Sequence, residues 1–312
     1  VSFSADNNQV LEKTASGTSQ VGVTPTDRGM AVDAAGDIYT VGTNGEERSQ
    51  IQKTTPSGTT SFVGQPFGDV VEGLAVDPDG DVFVANNQEL VEMTSGGSSR
   101  VLESSGSTDT TFVFGGIATD AAGDVFWTDN YDGNPTSTSN VYELPAPSYN
   151  GPPELLYSGT DQFAGLTVDA AGDVFVGDTT GHKVVEIAPG GAATTAESGG
   201  EPSSVAVDAA GNLYVGLTDV NKVVELTKPY SGGAGTTVMT GQTPDYLGAF
   251  EPPTTVTTLQ PVPLSATEIS APVGGTPGGT VSFKDGSTVL GTGSLTAGSP
   301  DTATLTLPAG TL

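Results

Sequence analysis

The sequence Gly73-Leu74-Ala75-Val76-Asp77-Pro78-Asp79-Gly80-Asp81-Val82-Phe83-Val84 belongs to a set of five close variants in this chain. The other four begin at Gly29, Gly116, Gly165 and Ser204. Their first aspartates lie 44, 43, 49 and 39 residues apart. A period of this size is typical of a β-propeller, in which each repeat forms one four-stranded blade. The sequence therefore predicts an all-β repeat fold.

Each copy contains a predicted hairpin, because two short apolar runs flank Asp-x-x-Gly-Asp/Asn. The first aspartate can accept hydrogen bonds from backbone N–H groups two residues on, and the glycine can take a positive φ in a type I turn with a bulge. These ten residues are therefore assigned a structural role in turns: Asp33, Asp77, Asp120, Asp169, Asp208, Gly36, Gly80, Gly123, Gly172 and Gly211.

A third and a fourth strand complete each repeat. Segments such as Val184-Val185-Glu186-Ile187 alternate apolar and polar residues, and a Gly-rich turn such as Gly190-Gly191 follows. The residue two before each turn aspartate is small, as an innermost strand crowded around an axis requires. One such sheet would leave both faces wet, so we expect the blades to pack radially against each other.

The two ends of the repeat region complement one another. Residues 1–13 align with residues 82–93, so they lack the first strand of a blade. Residues 244–250 align with residues 202–208 and can supply it. The sequence therefore predicts a six-bladed β-propeller over residues 1–250, with one blade shared between the N-terminal strands and a C-terminal strand. The alternative is a blade lost upstream, and the absence of a starting Met suggests a processed or shortened chain.

The Val-Asp-x-x-Gly-(Asp/Asn)-(Val/Ile/Leu)-(Tyr/Phe) core resembles the NHL repeat, close to gluconolactonase-like and virginiamycin-lyase-like propellers. The resemblance implies a fold and, for a gluconolactonase-type site, a divalent cation that polarises a lactone carbonyl. Glu72 matches the family's first metal-ligand position, with Asp27 and Asp245 as candidates for further oxygen ligands. No cofactor follows from the residues alone; calcium or another divalent cation is implied only by this resemblance.

Residues 251–312 differ in composition, being rich in Thr, Gly and Val after the stiff linker Glu251-Pro252-Pro253. Residues 279–291, Gly-Thr-Val-Ser-Phe-Lys-Asp-Gly-Ser-Thr-Val-Leu-Gly, resemble the core of a bacterial Ig-like repeat domain. The resemblance implies a β-sandwich, here truncated before its last strands.

Composition limits the partners. The formal net charge is −28, so nucleic acid and anionic membranes are poor partners. The chain has no cysteine, which excludes disulfides and thiolate metal sites, and no apolar run long enough to span a membrane. We expect an extracellular or cell-surface bacterial protein and a monomer, with a protein, a glycan or a small molecule as its partner.

Charged residues precede the inner strands: Asp27, Arg28, Glu72, Glu201 and Asp245. They are candidates for ligand binding at one mouth of the central channel, or they are solvated loop charges. The longest insertion, residues 129–135, follows the single tryptophan, Trp127, and is either an ion- or partner-binding loop or a plain surface loop.

Catalytic chemistry has little support in the residues. His182 is the only histidine, which excludes a multi-histidine zinc site and leaves no second base. It is expected in an edge strand as an ordinary surface residue. The acidic run at residues 77–81 lacks EF-hand spacing and coincides with the turn. The leading hypothesis is a non-catalytic binding or scaffold protein that displays a propeller on an Ig-like spacer. The alternative is a metal-dependent, lactonase-like hydrolase centred on Glu72.

Overall fold

The computed structural model describes most of the repeat region and four strands beyond it. The described residues are 2–6, 9–14, 17–21, 29–44, 48–67, 71–86, 89–104, 112–131, 138–160, 162–230, 232–240, 246–249, 262–268, 280–285, 288–294 and 301–307. The chain divides into two compact units, Val1–Pro253 and Thr254–Leu312. The predicted boundary, between residues 250 and 251, lies close to this division.

The described residues of the first unit form twenty-four strands. Three N-terminal strands come first: β1 (Ser2–Asp6), β2 (Gln9–Thr14) and β3 (Gly17–Val21). Five antiparallel sheets of four consecutive strands follow, named blades 1 to 5. Blade 1 contains β4 (Met30–Val32), β5 (Ile38–Asn44), β6 (Arg48–Thr54) and β7 (Thr60–Phe67). Blade 2 contains β8 (Val71–Val76), β9 (Val82–Asn86), β10 (Glu89–Met93) and β11 (Ser99–Ser104).

The next three blades repeat this order. Blade 3 contains β12 (Phe112–Thr119), β13 (Val125–Tyr131), β14 (Ser139–Leu144) and β15 (Glu154–Gly159). Blade 4 contains β16 (Phe163–Val168), β17 (Val174–Asp178), β18 (Lys183–Ile187) and β19 (Ala193–Ser198). Blade 5 contains β20 (Pro202–Val207), β21 (Leu213–Leu217), β22 (Lys222–Leu226) and β23 (Thr236–Thr240). Among the described residues, no helix is long and apolar enough to cross a membrane.

A further four-stranded sheet joins the two ends of the first unit. Strand β24 (Tyr246–Ala249) pairs antiparallel with β1, with Ser2 opposite Ala249 and Ala5 opposite Tyr246. The first strands of the sheets contact one another in the cyclic order β4, β8, β12, β16, β20, β24 and back to β4. Blades made wholly of consecutive strands therefore number five rather than the six that the sequence predicts. The sheet formed from both ends of the unit lies between blade 5 and blade 1.

The hydrophobic cores lie between neighbouring blades because successive strand residues face opposite sides of a sheet. On β8, Leu74 packs into the core shared with blade 1 and Ala75 into the core shared with blade 3. Leu247 of β24 packs against Ala206 of blade 5. The small residues predicted on the inner strands are buried between blades in this way, at Ala31, Ala75, Ala118 and Ala206.

The repeated turns have one geometry. In blade 2, Asp77 Oδ1 accepts hydrogen bonds from the amides of Asp79 at 3.0 Å and Asp81 at 2.8 Å, and the Gly80 amide donates to the Asp77 carbonyl. Gly80 has φ of +82°, a conformation that glycine adopts without a steric penalty. The other turn aspartates accept equivalent bonds, and Gly36, Gly123, Gly172 and Gly211 also have positive φ. The acidic run at residues 77–81 thus forms the turn.

The second unit contributes four described strands in two sheets of two. Strand β25 (Val262–Glu268) pairs with β28 (Asp301–Leu307), and β26 (Thr280–Asp285) pairs with β27 (Thr288–Ser294). The sequence predicts strands in this unit at residues 255–259, 279–283, 285–291 and 302–308. Strands β26, β27 and β28 match the last three, β25 was not predicted, and residues 255–259 lie outside the described residues. The Ig-like assignment stays a prediction, because these paired strands alone do not form a sandwich.

Candidate functional site

The two faces of the propeller carry different connections. One face, named the turn face, carries the Asp-x-x-Gly-Asp/Asn turns between the first and second strands of each blade. The opposite face, named the mouth face, carries the connections between the second and third strands and those that lead into the next blade. The turns always span five residues. The connection between the second and third strands, by contrast, differs in length: it comprises only residues 87–88 in blade 2 but residues 132–138 in blade 3.

A β-bulge occurs at the mouth end of four inner strands. In blade 2, Val71 pairs with Asn86 and Gly73 with Ala85, so Glu72 is the extra residue. The register shifts at the equivalent places in blades 3, 4 and 5. Bulges re-aim side chains and are common next to active sites. The bulge residues aligned with Glu72 are Gly115, Ala164 and Ser203.

In blades 2, 3 and 4 the bulge residue is followed by a glycine, which allows adjacent inner strands to approach closely. A Cβ built on Gly165 would lie 2.6 Å from the Cα of Ser204, and one on Gly116 would lie 2.7 Å from the Ala164 carbonyl oxygen. Both contacts are with backbone, which cannot yield as a flexible side chain does. The mouth end of these blades is therefore tightly packed around the axis.

Two of the five predicted mouth charges, Glu72 and Glu201, lie among the described residues. Glu72 lies inside β8 and is half-buried, rather than preceding the strand as the sequence suggested. Glu201 is exposed on the connection between β19 and β20. Asp27, Arg28 and Asp245 lie outside the described residues, so the candidate metal set of Glu72, Asp27 and Asp245 stays a prediction.

A buried polar residue occupies the fifth position of the second strand in three blades, and sequence reasoning missed these residues. Asn86, Asp129 and Asp178 occupy the fifth position of an aligned apolar run, which was the available signal. Each side chain accepts a backbone hydrogen bond from the connection that follows or from the strand beyond it. The donors are the amides of Glu89 at 2.6 Å, Asn140 at 2.8 Å and Gly181 at 2.6 Å.

Two of these side chains, Asp129 and Asp178, are carboxylates that bond to residues of their own blades. Burial raises the pKa of Asp129, although the Asn140 side chain also donates to its Oδ1 at 2.9 Å. Asp178 pairs with Lys183, with Nζ 3.1 Å from Oδ2. Asn130 bridges to blade 4, since its Nδ2 donates to the Phe163 carbonyl and its Oδ1 accepts from the Phe163 amide. The oxygens therefore fix the mouth-face connections rather than lying free.

The connection that carries Glu201 is tied to the neighbouring turn of blade 5. The Thr218 amide donates to the Glu201 carbonyl at 3.1 Å, and the Glu201 amide donates to Asp219 Oδ1 at 3.0 Å. The backbone at Glu201 is thus anchored while its side chain is exposed to solvent.

Two other residues singled out in the sequence have different positions from those expected. His182 lies in the turn between β17 and β18 rather than in an edge strand, and it is exposed with φ of +52°. Trp127 is buried in β13 and stacks on Tyr142 with ring centroids 5.5 Å apart. Residues 129–131 of the predicted acidic loop belong to β13, and residues 132–135 lie outside the described residues.

Lysines pair with two of the turn-face aspartate pairs. In blade 1, Lys53 Nζ lies 2.5 Å from Asp37 Oδ2. Lys228 of blade 5 reaches across to blade 4, pairing with Asp169 and lying 3.5 Å from Asp173 Oδ2. Burial acts to raise the pKa of Asp169, but Lys228 and backbone donors outweigh it and lower the pKa below its ordinary value.

Comparison with solved structures supports the propeller fold. The chain is similar to TolB from Acinetobacter baumannii, at 13% identity and a TM-score of 0.61 over 80% of this chain and 66% of that one. It is similar to the calcium-binding protein regucalcin from Agrobacterium tumefaciens, at 15% identity and a TM-score of 0.56 over 79% and 83%. It is also similar to a gluconolactonase from Xanthomonas campestris, at 17% identity and a TM-score of 0.53 over 70% and 76%.

The first unit is a β-propeller. At such low identity the likeness establishes the fold alone. No protein-family model matches the chain, and no curated protein matches it. The NHL assignment within the propeller superfamily therefore stays a prediction.

The donor set at the mouth does not fit a catalytic divalent cation in the described part of the chain. Such a cation takes several oxygen ligands. At the aligned bulge positions, Glu72 and Ser203 carry oxygen, whereas Gly115 and Ala164 carry none. No group of three or more acidic or histidine side chains converges among the described residues. No metal-dependent step is derived from this arrangement.

Proposed function

We propose that the protein is a non-catalytic binding or scaffold protein, exported or held at the bacterial cell surface, whose propeller binds a partner through its mouth face. The observation that carries this proposal is the contrast between five uniform turns on one face and unequal connections on the other. Recognition commonly resides in variable loops positioned by a rigid scaffold.

The charge of the chain favours a basic or cation-bearing partner. The net charge is −28 over 312 residues. Complementary charge speeds association and discriminates against acidic partners such as nucleic acid. The partner class is therefore a protein, glycan or small molecule with positive charge, bound by a monomer whose second unit acts as an Ig-like spacer.

Array binding with the full chain tests the proposal. Basic-peptide and glycan arrays are probed with the unmodified chain, with a Glu201→Ala, His182→Ala double variant of the mouth face, and with Asp79→Ala on the turn face. We expect binding that the mouth-face variant reduces and that Asp79→Ala leaves unchanged. Equal binding by all three proteins would place recognition elsewhere and reject the proposal.

The alternative is a divalent-metal-dependent, lactonase-like hydrolase. It is favoured by one observation, the position of Glu72 in a bulge at the mouth. Calorimetric titration of Ca²⁺, Mg²⁺ and Mn²⁺ into the metal-stripped chain and its Glu72→Ala variant decides between them. A single micromolar site that the variant lacks would support the hydrolase and justify a lactone screen, whereas unchanged weak heats would reject it.

A further inference from the structure

Glu197 on the outer strand of blade 4 is the most unusual polar group among the described residues. Its side chain is 0% exposed, and neither carboxylate oxygen has a hydrogen-bond partner. A buried carboxylate normally receives several hydrogen bonds, because an unpaired one costs several kcal/mol to desolvate. Glu197 therefore requires a physical explanation that the turns and the mouth do not supply.

The two blades on either side of blade 4 hold uncharged residues at this position. A β-bulge in β19 leaves Glu197 opposite Val184, with Ala196 as the extra residue. The same bulge in blades 3 and 5 places Tyr157 opposite Val141 and Met239 opposite Val223. Met239 packs in the core between blade 5 and β24, and Tyr157 packs against Phe163 of blade 4. Glu197 is thus a carboxylic acid at a position that faces the next blade.

The segments that surround Glu197 bring no positive charge to it. A Cβ built on Gly199 would lie 3.5 Å from Glu197 Oε1 and 3.4 Å from Ala234 Cβ, so residues 199 and 234 lie beside the carboxylate. The charged group that acts on it is Asp219, on the turn between β21 and β22. On the paired strand β18, Lys183 is committed to Asp178. Described residues 232–235, from the β22–β23 connection, contain no titratable group.

We propose that the protonation state of Glu197 controls how tightly blades 4 and 5 pack against each other. The contact between these blades at Glu197, Gly199 and Ala234 is named the seam. When Glu197 is neutral, the seam is closely packed and the connection carrying Glu201 is held. When Glu197 ionises, repulsion from Asp219 and the demand for water loosen the seam and release that connection. The proposal does not depend on the proposed function.

The direction of the pH effect follows from the burial. Burial, with a smaller contribution from the negative charge of Asp219, raises the pKa of Glu197 from 4.5 to about 7. The folded chain therefore holds this proton more tightly than the unfolded chain does. Stability should be full at acidic pH, fall as the pH rises from the unfolded pKa to the folded one, and level off above it.

The link to the mouth face passes through Asp219. Its Oδ1 accepts the Glu201 amide, and the Glu201 carbonyl accepts from Thr218. A movement of Asp219 away from an ionised Glu197 would disturb both contacts. Ionisation of Glu197 would therefore weaken the backbone contacts that anchor the connection carrying Glu201.

The test compares the pH dependence of urea unfolding for the full chain and for Glu197→Gln between pH 5 and pH 8.5. We expect the ratio of folded to unfolded chain to fall about 70-fold more in the unmodified protein over this interval. The full effect of the pKa difference is larger, but at pH 5 the carboxyl of the unfolded chain is already mostly ionised. Glu103→Gln is the matched control, since Glu103 occupies the equivalent register position in blade 2 and is only partly buried. It should change the slope much less.

Two further measurements keep the proposal falsifiable if Glu197→Gln does not fold. Glu197→Met, which copies Met239, should fold and lose the slope. Carboxyl ¹³C NMR of the unmodified chain should show one glutamate titrating near neutral pH, with amide exchange at residues 199–201 and 218–221 faster above that midpoint than in Glu197→Met at the same pH. All glutamates titrating near their ordinary pKa would overturn the proposal. Stabilisation by Ca²⁺ at pH 8 that Glu197→Met abolishes would also overturn it, because the seam would then hold a cation rather than a proton.

Discussion

The turn face and the mouth face of the propeller are built from the same strands but are stabilised differently. Each turn is held by one aspartate that bonds to backbone a few residues away, and the pattern repeats from blade to blade. On the mouth face, the polar side chain at the aligned position and its partner differ between blades. Asn86 bonds to Glu89, Asp129 bonds to Asn140, and Asp178 pairs with Lys183. Uniformity on one face leaves the other free to vary, and this arrangement suits recognition.

The largest effect should come from the mouth end of an inner strand. Gly165→Ala would place a Cβ 2.6 Å from the Ser204 Cα and 2.8 Å from the Val205 amide nitrogen. Because these are backbone atoms of blade 5, we expect a loss of about 3 kcal/mol in the free energy of unfolding. Urea denaturation measures it. Gly151→Ala is the control, since nothing lies within 4 Å of its added Cβ; equal losses in both would contradict the close approach.

A turn-face aspartate should matter somewhat less. Asp208 accepts the Asn212 amide at 2.7 Å and the Tyr214 hydroxyl at 3.2 Å. Asp208→Ala leaves the Asn212 amide without this acceptor and the Tyr214 hydroxyl with only Glu225 Oε1, at 3.3 Å, and we expect a loss of about 2 kcal/mol. Thermal unfolding checks it beside Asp208→Asn, which retains the acceptor oxygen and should lose less. An alanine variant as stable as the unmodified chain would show that the turn closes without its aspartate.

The ion pair that joins blades 4 and 5 should contribute less again. Lys228 is 39% exposed, so solvent screens its attraction to Asp169 and Asp173. We expect Lys228→Met to cost about 1 kcal/mol near neutral pH. Because the pKa of Asp169 is lowered, this contribution is present above its ordinary pKa and is lost as the pH falls through the folded value. Urea unfolding at pH 7 and pH 2.5 checks this prediction. The free energies of unfolding of the two proteins should differ at pH 7 and approach each other at pH 2.5, and an equal difference at both pH values would argue against the ion pair.

The smallest effect on stability should be at the exposed mouth. Glu201→Ala removes a solvated side chain and leaves the backbone bonds to Thr218 and Asp219 in place. We expect a change within about 0.5 kcal/mol in the free energy of unfolding. Differential scanning calorimetry measures it, and a larger loss would mean that this side chain supports the scaffold rather than facing a partner.

The turns were predictable from the sequence, whereas the seam was not. Asp77 and Gly80 act through contacts within five residues, so a short stretch of sequence is enough to predict their role in the turn. The burial of Glu197 depends on a bulge in β19 and on cover from blade 5, which are distant in sequence. Only the register of the paired strands shows that Glu197 occupies the same position as Tyr157 and Met239. His182 was misplaced because a one-turn connection and a strand end have similar local composition.

The shared sheet affects how the chain acquires its structure during synthesis. Strands β1, β2 and β3 precede blades 1 to 5 in the chain, yet the partner of β1 is β24, which follows all five blades. The nascent chain therefore carries an unpaired β1 edge until β24 arrives, and an unpaired edge is a template for pairing with other chains. Pairing across the whole unit also raises the contact order, which slows folding.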